Sequence, residues 1–464
     1  MKFENGNARE LQIAYIGGGS RGWAWGFMMD LADDSQMGGV VRLYDIDRKA
    51  AENNAVIGGK ISAHPDAKAK WRYEVAGSLQ DALTGADFVV ISILPGTFDE
   101  MRSDVHAPEE YGFYQAVGDT VGPGGFIRAM RCLPMLVEIA EAIRDYSPKA
   151  WVINYTNPMT LCLRAMYDIF PEIRAFGCCH EVFGTQKLLA AMLEEKLGVK
   201  EIPRQDIKIN VLGINHFTWI SSASWQNMDL FPLYSEFTGK YHETGFAIGE
   251  DNWMNSAFHS ANKIKMDLFR RFGQIAAAGD RHLAEFMPAS WYLRDKETVA
   301  SWKFGLTTVD WRVQDLKDRL ARSAALISGE EAIEIKPSGE EGHLLIKALL
   351  GLGDIISNVN LPNKGQVSNL PVDVVVETNA LFRRGEVLPV AAGAMPGNTL
   401  ALTSRHVYNQ ENTLRAALGC DYSLALTTFL NDPLLEGITP ADGEKLFYKM
   451  LTATRNYLPG GWKL

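Results

Sequence analysis

Gly17-Gly18-Gly19-Ser20-Arg21-Gly22 places glycine at the first, third and sixth positions of a G-x-G-x-x-G turn. Such a turn can close round a phosphate. Gly17 permits the tight bend, Gly19 lets the backbone approach a pyrophosphate, and Gly22 allows a helix to pack closely on a strand. The anion then rests on a helix N terminus, where unpaired N–H groups and the helix dipole favour negative charge. Asp45 follows 23 residues after Gly22, at the end of the next apolar run. Its carboxylate can accept hydrogen bonds from both hydroxyls of a ribose and repels a 2′-phosphate, which selects NAD over NADP; Arg48 nearby works against that selection. The competing reading is a Gly-rich turn with an unrelated surface Asp.

Three further segments carry groups suited to chemistry. Asn154-Tyr155-Thr156-Asn157-Pro158 can present fixed amide donors and acceptors to a cofactor or a hydroxylated ligand, or can be a plain Asx/Pro turn. Gly177-Cys178-Cys179-His180 and Gly213-Ile214-Asn215-His216 each end an apolar run. A Cys and a His from two strand ends can share a divalent ion while leaving positions open for substrate oxygens. Cys179 and His216 are 37 residues apart, so spacing alone does not join them. A single His after an apolar strand is commonly a satisfied core residue.

The elements that must position these groups show as short apolar runs, each ending in Gly, Asp, Pro or Asn: residues 13–16, 40–44, 88–94 and 151–154. Helical patterns such as 133–146 lie between them. That alternation predicts a parallel sheet with crossover helices, hence an N-terminal Rossmann domain over residues 1–195, with ligands beyond the carboxyl ends of the strands. From residue 196 to 464 the pattern changes. A strand at 207–214, helical stretches at 253–272 and 342–352, and an apolar run at 372–376 predict a mixed α/β second domain, packed extensively on the first because no Pro/Ser/Gly linker intervenes.

Composition narrows the partners. The 464 residues are 47% hydrophobic, enough for a sizeable core. With 56 acids against 46 bases the net charge is −10, which disfavours nucleic acid and requires a local basic pocket for any anionic substrate. No run approaches the ~18 apolar residues a membrane span needs. The polar start and five cysteines, too few and too odd for a disulfide framework, fit a cytoplasmic protein.

In order along the chain, the Gly turn, Asn-x-x-Asn-Pro, Cys-His and Gly-Ile-Asn-His resemble glycoside hydrolase family 4, the NAD- and manganese-dependent glycosidases. Val117-Gly118-Asp119-Thr120-Val121-Gly122-Pro123-Gly124-Gly125 is similar to that family's acidic Gly-rich loop, and Asn358-Val359-Asn360-Leu361-Pro362-Asn363 with Asn369-Leu370-Pro371 to its C-terminal signature. Residues 151–158, 177–188, 212–219 and 278–286 resemble the versions found in the branch acting on α-galacturonides. The resemblance runs from about residue 13 to about residue 377, most of the chain.

The resemblance implies a second domain of lactate/malate dehydrogenase-like type and an oxidation–elimination–addition–reduction route, the exception to two-carboxylate glycosidases. NAD takes hydride from C3 of the sugar, a base removes the acidified C2 proton, the metal stabilises the enediolate, the aglycone leaves C1, water adds, and the hydride returns. It implies Cys179 and His216 as ligands of Mn²⁺ or another divalent metal, His180 as general acid, Asn157 as a sugar-hydroxyl ligand, and Asp119 as a substrate ligand or tuner of the base. Gly17, Gly18, Gly19, Ser20, Gly22, Asp45 and Asn154 would hold NAD.

Many relatives place a Tyr base in a loop downstream of the metal His. Here that loop reads Gly279-Asp280-Arg281-His282-Leu283-Ala284-Glu285, without Tyr. Asp280 is the first candidate base and His282 the second; the alternative is an Arg281–Glu285 ion pair with Asp280 as a helix cap. A galacturonide carboxylate calls for an Arg, with Arg281 or Arg128 the candidates. Galactosides, glucuronides and 6-phospho-glucosides are alternative substrates. A 2-hydroxy acid dehydrogenase or an NAD-sensing protein would share the Gly turn but would not need the metal pair. The resemblance also implies a homo-oligomer, dimer or tetramer.

Overall fold

The computed structural model describes residues 1–248 and 258–462. The first part of the chain lays down β1 (Lys2–Glu4), β2 (Asn7–Ile16), β3 (Met37–Tyr44), β4 (Trp71–Val75), β5 (Phe88–Ile91), β6 (Trp151–Asn154) and β7 (Arg174–Gly177). β4, β3, β2, β5, β6 and β7 pair in that order, all parallel. Their cores are apolar runs without alternation: all four residues of β5, Phe-Val-Val-Ile, are buried. This is what a strand covered by helices on both faces requires. The chain builds outward from β2 on one side, then returns to β5 and builds on the other. The crevice at the carboxyl ends of β2 and β5 is therefore the topological switch point.

The second part forms an antiparallel sheet from β8 (Ile207–Ile214), β9 (Phe217–Trp225), β10 (Met228–Asp229) and β11 (Ile275–Ala276). β8 and β9 are joined by a two-residue hairpin, Asn215-His216. Three later strands, β12 (Ile355–Pro362), β13 (Val375–Arg383) and β14 (Glu386–Pro389), return to the first sheet. β12 pairs antiparallel with β7 at Asn360↔Gly177, which extends that sheet to ten strands. A boundary at 195/196 thus divides the sequence but not the sheet: β7 would otherwise present an unpaired edge.

One apolar core runs through both parts. It joins Ile127, Met130 and Leu133 of the helix Gly122–Tyr146 to Phe217 and Trp219 of β9, Phe286, and Phe429 and Phe447 near the C terminus. Some element boundaries move from the sequence reading. Residues 122–125, read as a loop, form the first turn of the helix Gly122–Tyr146, started by a proline. The 372–376 run is a turn followed by β13, with Asp373 at φ 69°. Residues 253–257 of the helix expected at 253–272 lie outside the described residues; the described helix is Lys263–Phe272. Among the described residues no helix is long and apolar enough to cross a membrane.

Candidate active site

A cavity of about 760 Å³ opens at the switch point. The Gly turn and Asp45 line one part of it; Asp119, Cys179, His180, His216 and His282 line another. The turn is set by backbone contacts. Gly17 has φ 88° and a Cβ there would collide with the Ser92 carbonyl at the end of β5. Asp45 Oδ2 accepts the Gly19 N–H at 2.8 Å and Oδ1 accepts the Asp47 N–H at 2.9 Å. A Cβ on Gly19 would lie 2.8 Å from that same Oδ2. Each carboxylate oxygen keeps a second lone pair for a ribose hydroxyl. Arg48 lies outside the cavity and pairs with Glu52 at 3.2 Å. The helix Trp23–Asp33 begins straight after Gly22 with no side-chain cap, leaving its N terminus for an anion. Gly22 itself faces the Arg319 guanidinium, which donates to Arg21 O at 2.8 Å. Asn54, which no motif indicated, donates from Nδ2 to the carbonyls of Gly18 and Ser20 and fixes the turn from below.

The second part is organised by Thr120. Its hydroxyl donates to Asp119 Oδ1 at 2.7 Å and lies 2.8 Å from His216 Nδ1. Burial would raise the Asp119 carboxyl, but the facing imidazoles of His282 and His216, the Arg128 guanidinium and the Thr120 hydroxyl hold it well below the carboxylate range. Asp119 is therefore ionised and accepts the Thr120 proton. The hydroxyl can then only accept from His216, so Nδ1 carries the imidazole proton and Nε2 presents its lone pair. Burial, and the His282 ring beside it, pull His216 down to about 3, so the ring is neutral near pH 7. His216 also sits in the left-handed region at φ 64°. The hairpin holds that conformation, a strain characteristic of functional residues.

Ligand atoms of Asp119, His216 and His282 all lie within 4.8 Å of one another. The His216 and His282 rings stack at 3.7 Å. His282 Nε2 faces Glu181 Oε1 at 3.5 Å, and its Nδ1 is buried without a partner. Burial lowers His282 more than Glu181 and Asp119 raise it. Glu181 Oε2 accepts the Gly279 N–H at 2.7 Å. Burial opposes ionisation of Glu181, but His282, His180 and His216 hold it well below its ordinary range.

Cys179 lines the cavity but is not in the three-residue convergence. Burial, then Glu377 and Glu181, push its thiol up, while the Asn215 side chain opposes them by hydrogen bonding. The Cys179 loop and the His216 hairpin are tied together through β12 and β13. Asn358 Nδ2 donates to Cys179 O at 3.3 Å and to Glu377 Oε1 at 2.7 Å, and Asn215 Nδ2 donates to Glu377 Oε2 at 3.4 Å. His180 is half-exposed, and its Nδ1 lies 2.9 Å from Glu340 Oε1. Burial lowers His180, but the hydrogen bond and charge of Glu340 outweigh it, leaving the imidazole raised.

Asn157 lines the cavity and donates to Asp119 Oδ2 at 3.3 Å; its Oδ1 is buried and unpartnered. Asn154 is not brought to the cavity: its amide bridges the N–H and C=O of Thr156 and shapes the loop. Asp280 is not brought there either. Its Oδ1 accepts the Lys265 N–H at 3.1 Å, on the buried side of the helix Asp280–Glu285. Arg281 lines the cavity but does not pair with Glu285, which accepts the N–H groups of Val117 and Gly118 and so supports the Asp119 loop. The sequence assigned no role to Thr120, Glu181, Arg312, Glu340 or Glu377, although Thr120 lies within the quoted Gly-rich loop and Glu181 within the quoted 177–188 segment.

The chain matches the model of the family 4 glycosyl hydrolases over residues 12–195 and that of the family 4 glycosyl hydrolase C-terminal domain over residues 211–435. It is 58% identical to an alpha-galacturonidase of Thermoanaerobacterium saccharolyticum over 465 residues, covering 100% of both chains. It is 51% identical to an alpha-galacturonidase of Bacillus subtilis, covering 95% of this chain and 97% of that one. The crystal structure of a Bacillus subtilis protein described as a candidate glucosidase superposes with a TM-score of 0.91 at 50% identity, over 96% of this chain and 100% of that one. A 6-phospho-alpha-glucosidase from gut microorganisms, in complex with NAD and Mn²⁺, shares the fold at a TM-score of 0.80 and 19% identity, over 98% of this chain and 99% of that one. The chain belongs to family 4 of the glycosyl hydrolases, with a Rossmann-type parallel sheet in its first part followed by the family's C-terminal domain.

Proposed function

We propose that this family 4 glycosyl hydrolase cleaves α-galacturonides, using NAD and a divalent cation, Mn²⁺ first, as cofactors. Identity of 51% or more to alpha-galacturonidases of several bacteria, along nearly the whole chain, supports the substrate. The observation that carries the chemistry is the Asp119–Thr120–His216 relay, which delivers an ionised carboxylate and a free imidazole lone pair to the crevice that the Gly turn opens.

The donor set fits the cofactors. A cation ligated by nitrogen and oxygen, with open positions, suits His216 Nε2 and Asp119, with the Cys179 sulfur completing the set. The Gly17–Gly19 turn, Ser20 and Gly22 suit a pyrophosphate, and Asp45 a ribose. When bound, NAD would supply the hydride acceptor and donor for C3 of the sugar, and the cation would supply Lewis acidity to the sugar oxygens. The remaining work falls to side chains. His282 is the base: Glu181 takes its Nε2 side, and the unpartnered Nδ1 accepts the C2 proton. His180, whose protonated form Glu340 favours, donates to the glycosidic oxygen as the C1–O bond breaks and C1 and C2 become doubly bonded. Asn157 and Asp119 orient the sugar hydroxyls. Water then adds at C1, giving a proton back to His180, and His282, after exchanging its proton with solvent, delivers a solvent-derived proton to C2.

The five cysteines are free, as a reducing cytoplasm would keep them. Assembly as a homo-oligomer belongs to the same proposal and is read by light scattering. The mechanism is tested by incubating the enzyme with NAD, Mn²⁺ and 4-nitrophenyl α-galacturonide in deuterated water. Galacturonate should be released with deuterium at C2 and without net NADH. Release without label removes the elimination route, and net NADH from simple hydroxy acids instead would make the protein a dehydrogenase.

A further inference from the structure

Three guanidiniums enter the cavity on the side of Asp119 and His282: Arg128, Arg281 and Arg312. Among the described residues none of the three contacts a carboxylate partner. Other sequestered arginines do: Arg131 is held by Asp104, Arg204 by Glu341 and Arg164 by Glu411. A guanidinium out of bulk water without an anion is costly. Two together, in a chain of net charge −10, mark a place where an anion arrives from outside.

The hydrogen bonds show which pair receives it. Thr307 joins Arg281 and Arg312: its Oγ1 accepts from Arg281 Nη1 at 2.6 Å, and its carbonyl accepts from Arg312 Nε at 3.4 Å. Arg312 Nη2 donates to Val117 O at 3.2 Å, in the loop that carries Asp119. The Arg281 guanidinium carbon lies over the Phe258 ring, 4.1 Å from its centroid. Both guanidiniums are thus held, while among the described residues Arg312 Nη1 and Arg281 Nε and Nη2 meet no acceptor. Arg128 is differently engaged: its Nε donates to Asn157 O at 3.0 Å and its charge offsets Asp119. The pyrophosphate has its own seat at the Gly turn.

We propose that Arg281 and Arg312, aligned by Thr307, form a fork that takes the C6 carboxylate of the sugar and makes these two residues the determinants of preference for uronides. This rests on the reading of the substrate as a galacturonide. Planar guanidiniums match a carboxylate with parallel N–H donors, which a lone ammonium cannot do. Because Val117 holds the other edge of Arg312, engagement of the carboxylate also fixes the sugar relative to Asp119.

The test is calorimetric binding of D-galacturonate and of D-galacturonamide, its uncharged analogue, to the enzyme loaded with NAD and Mn²⁺. Charge-assisted hydrogen bonds to two guanidiniums predict a wild-type preference for galacturonate of roughly 30-fold or more. Arg312→Gln should bring that preference down to about threefold, through weaker galacturonate binding with galacturonamide affinity unchanged. Retained NAD affinity shows that the variant is folded, and Arg281→Gln supplies a second reading if it is not. Arg312→Lys should restore only part of the preference, since it returns charge without the fork. A variant that discriminates as the wild type does, or a wild type that does not discriminate, overturns the fork. Failure of the wild type to hydrolyse an α-galacturonide overturns the functional reading instead, while the binding comparison still reports on the fork.

Discussion

Replacing Thr120 by Val tests the relay at its centre. The two side chains have nearly the same shape, so the substitution removes a hydroxyl without opening a cavity. Two contacts go: 2.7 Å to Asp119 Oδ1 and 2.8 Å to His216 Nδ1. Thr120 is buried, so water does not replace the hydroxyl. His216 then has two outcomes. It keeps its proton on Nδ1 as an unpaired buried donor, at a cost of about 1–3 kcal/mol. Otherwise it moves the proton to Nε2 and loses the lone pair that faces the cavity. Either way Mn²⁺ affinity should fall by roughly 10- to 100-fold, the usual effect of removing a group that orients a metal ligand. The assay is titration of Mn²⁺ into NAD-loaded enzyme, with free Mn²⁺ followed by electron paramagnetic resonance, beside the Mn²⁺ dependence of turnover. Thr120→Ser should stay close to wild type because it keeps the hydroxyl. If Thr120→Val binds Mn²⁺ within about threefold of wild type, the relay does not set the His216 tautomer.

Asp280→Asn should lower stability to denaturant by roughly 1–3 kcal/mol, because the carboxylate faces buried Lys265, while the folded enzyme still exchanges the C2 proton. His282→Ala should do the reverse, keeping fold, NAD and Mn²⁺ but slowing C2 exchange by about 10²- to 10⁴-fold. Loss of exchange in folded Asp280→Asn would return the base to Asp280, and loss of Mn²⁺ binding in His282→Ala would make His282 a ligand. Glu377 is raised by burial to about 7 from an ordinary 4.5. Its folded form therefore holds more protons than the unfolded chain between those values, so its contribution to stability falls as pH rises from about 4.5 to 7 and stays low above that. Metal-free Glu377→Gln, measured against wild type by urea unfolding, should gain on the order of 2–3 kcal/mol at pH 8 relative to pH 5. An unchanged difference between the two pH values would show that Glu377 titrates normally.

What the sequence could show was what local chemistry determines. The Gly17–Gly22 turn needs glycine because backbone crowds it, and that need is written in the residues themselves. The strand at 207–214 was readable for the same reason, as an apolar run bounded by turn residues. Direction was not readable. Asp280 and His282 occupy one short helix two residues apart, about 200° round its axis, so one faces Lys265 while the other faces the cavity. Only the packing of that helix decides which is which. Arg312 was unreadable because its partners, Val117 and Thr307, come from the Asp119 loop and from the segment before its own helix. Asn154 illustrates the converse: an amide at a strand end looked available to a ligand, but the loop it begins uses both of its polar atoms.

The return of β12–β14 to the first sheet gives the site a common platform. Hydride transfer at C3 and proton removal at C2 act on adjacent carbons, so the nicotinamide seat and the imidazole cluster must keep a fixed separation, and small misplacements in such arrangements are costly. β2, which ends in the Gly turn, and β13, which carries Glu377, belong to one sheet. Glu377 holds Asn215, next to His216, and shares Asn358 with the Cys179 loop. Asn379, also on β13, donates to Ile209 O on β8 at 2.7 Å. The hairpin bearing His216 is therefore fastened to the same sheet that presents NAD, and a two-domain chain gains the rigidity of a single unit at its active site. A buried carboxyl with a raised pKa is the cost of that fastening: Glu377 is more easily kept neutral than charged, and two asparagines are placed to hydrogen-bond it.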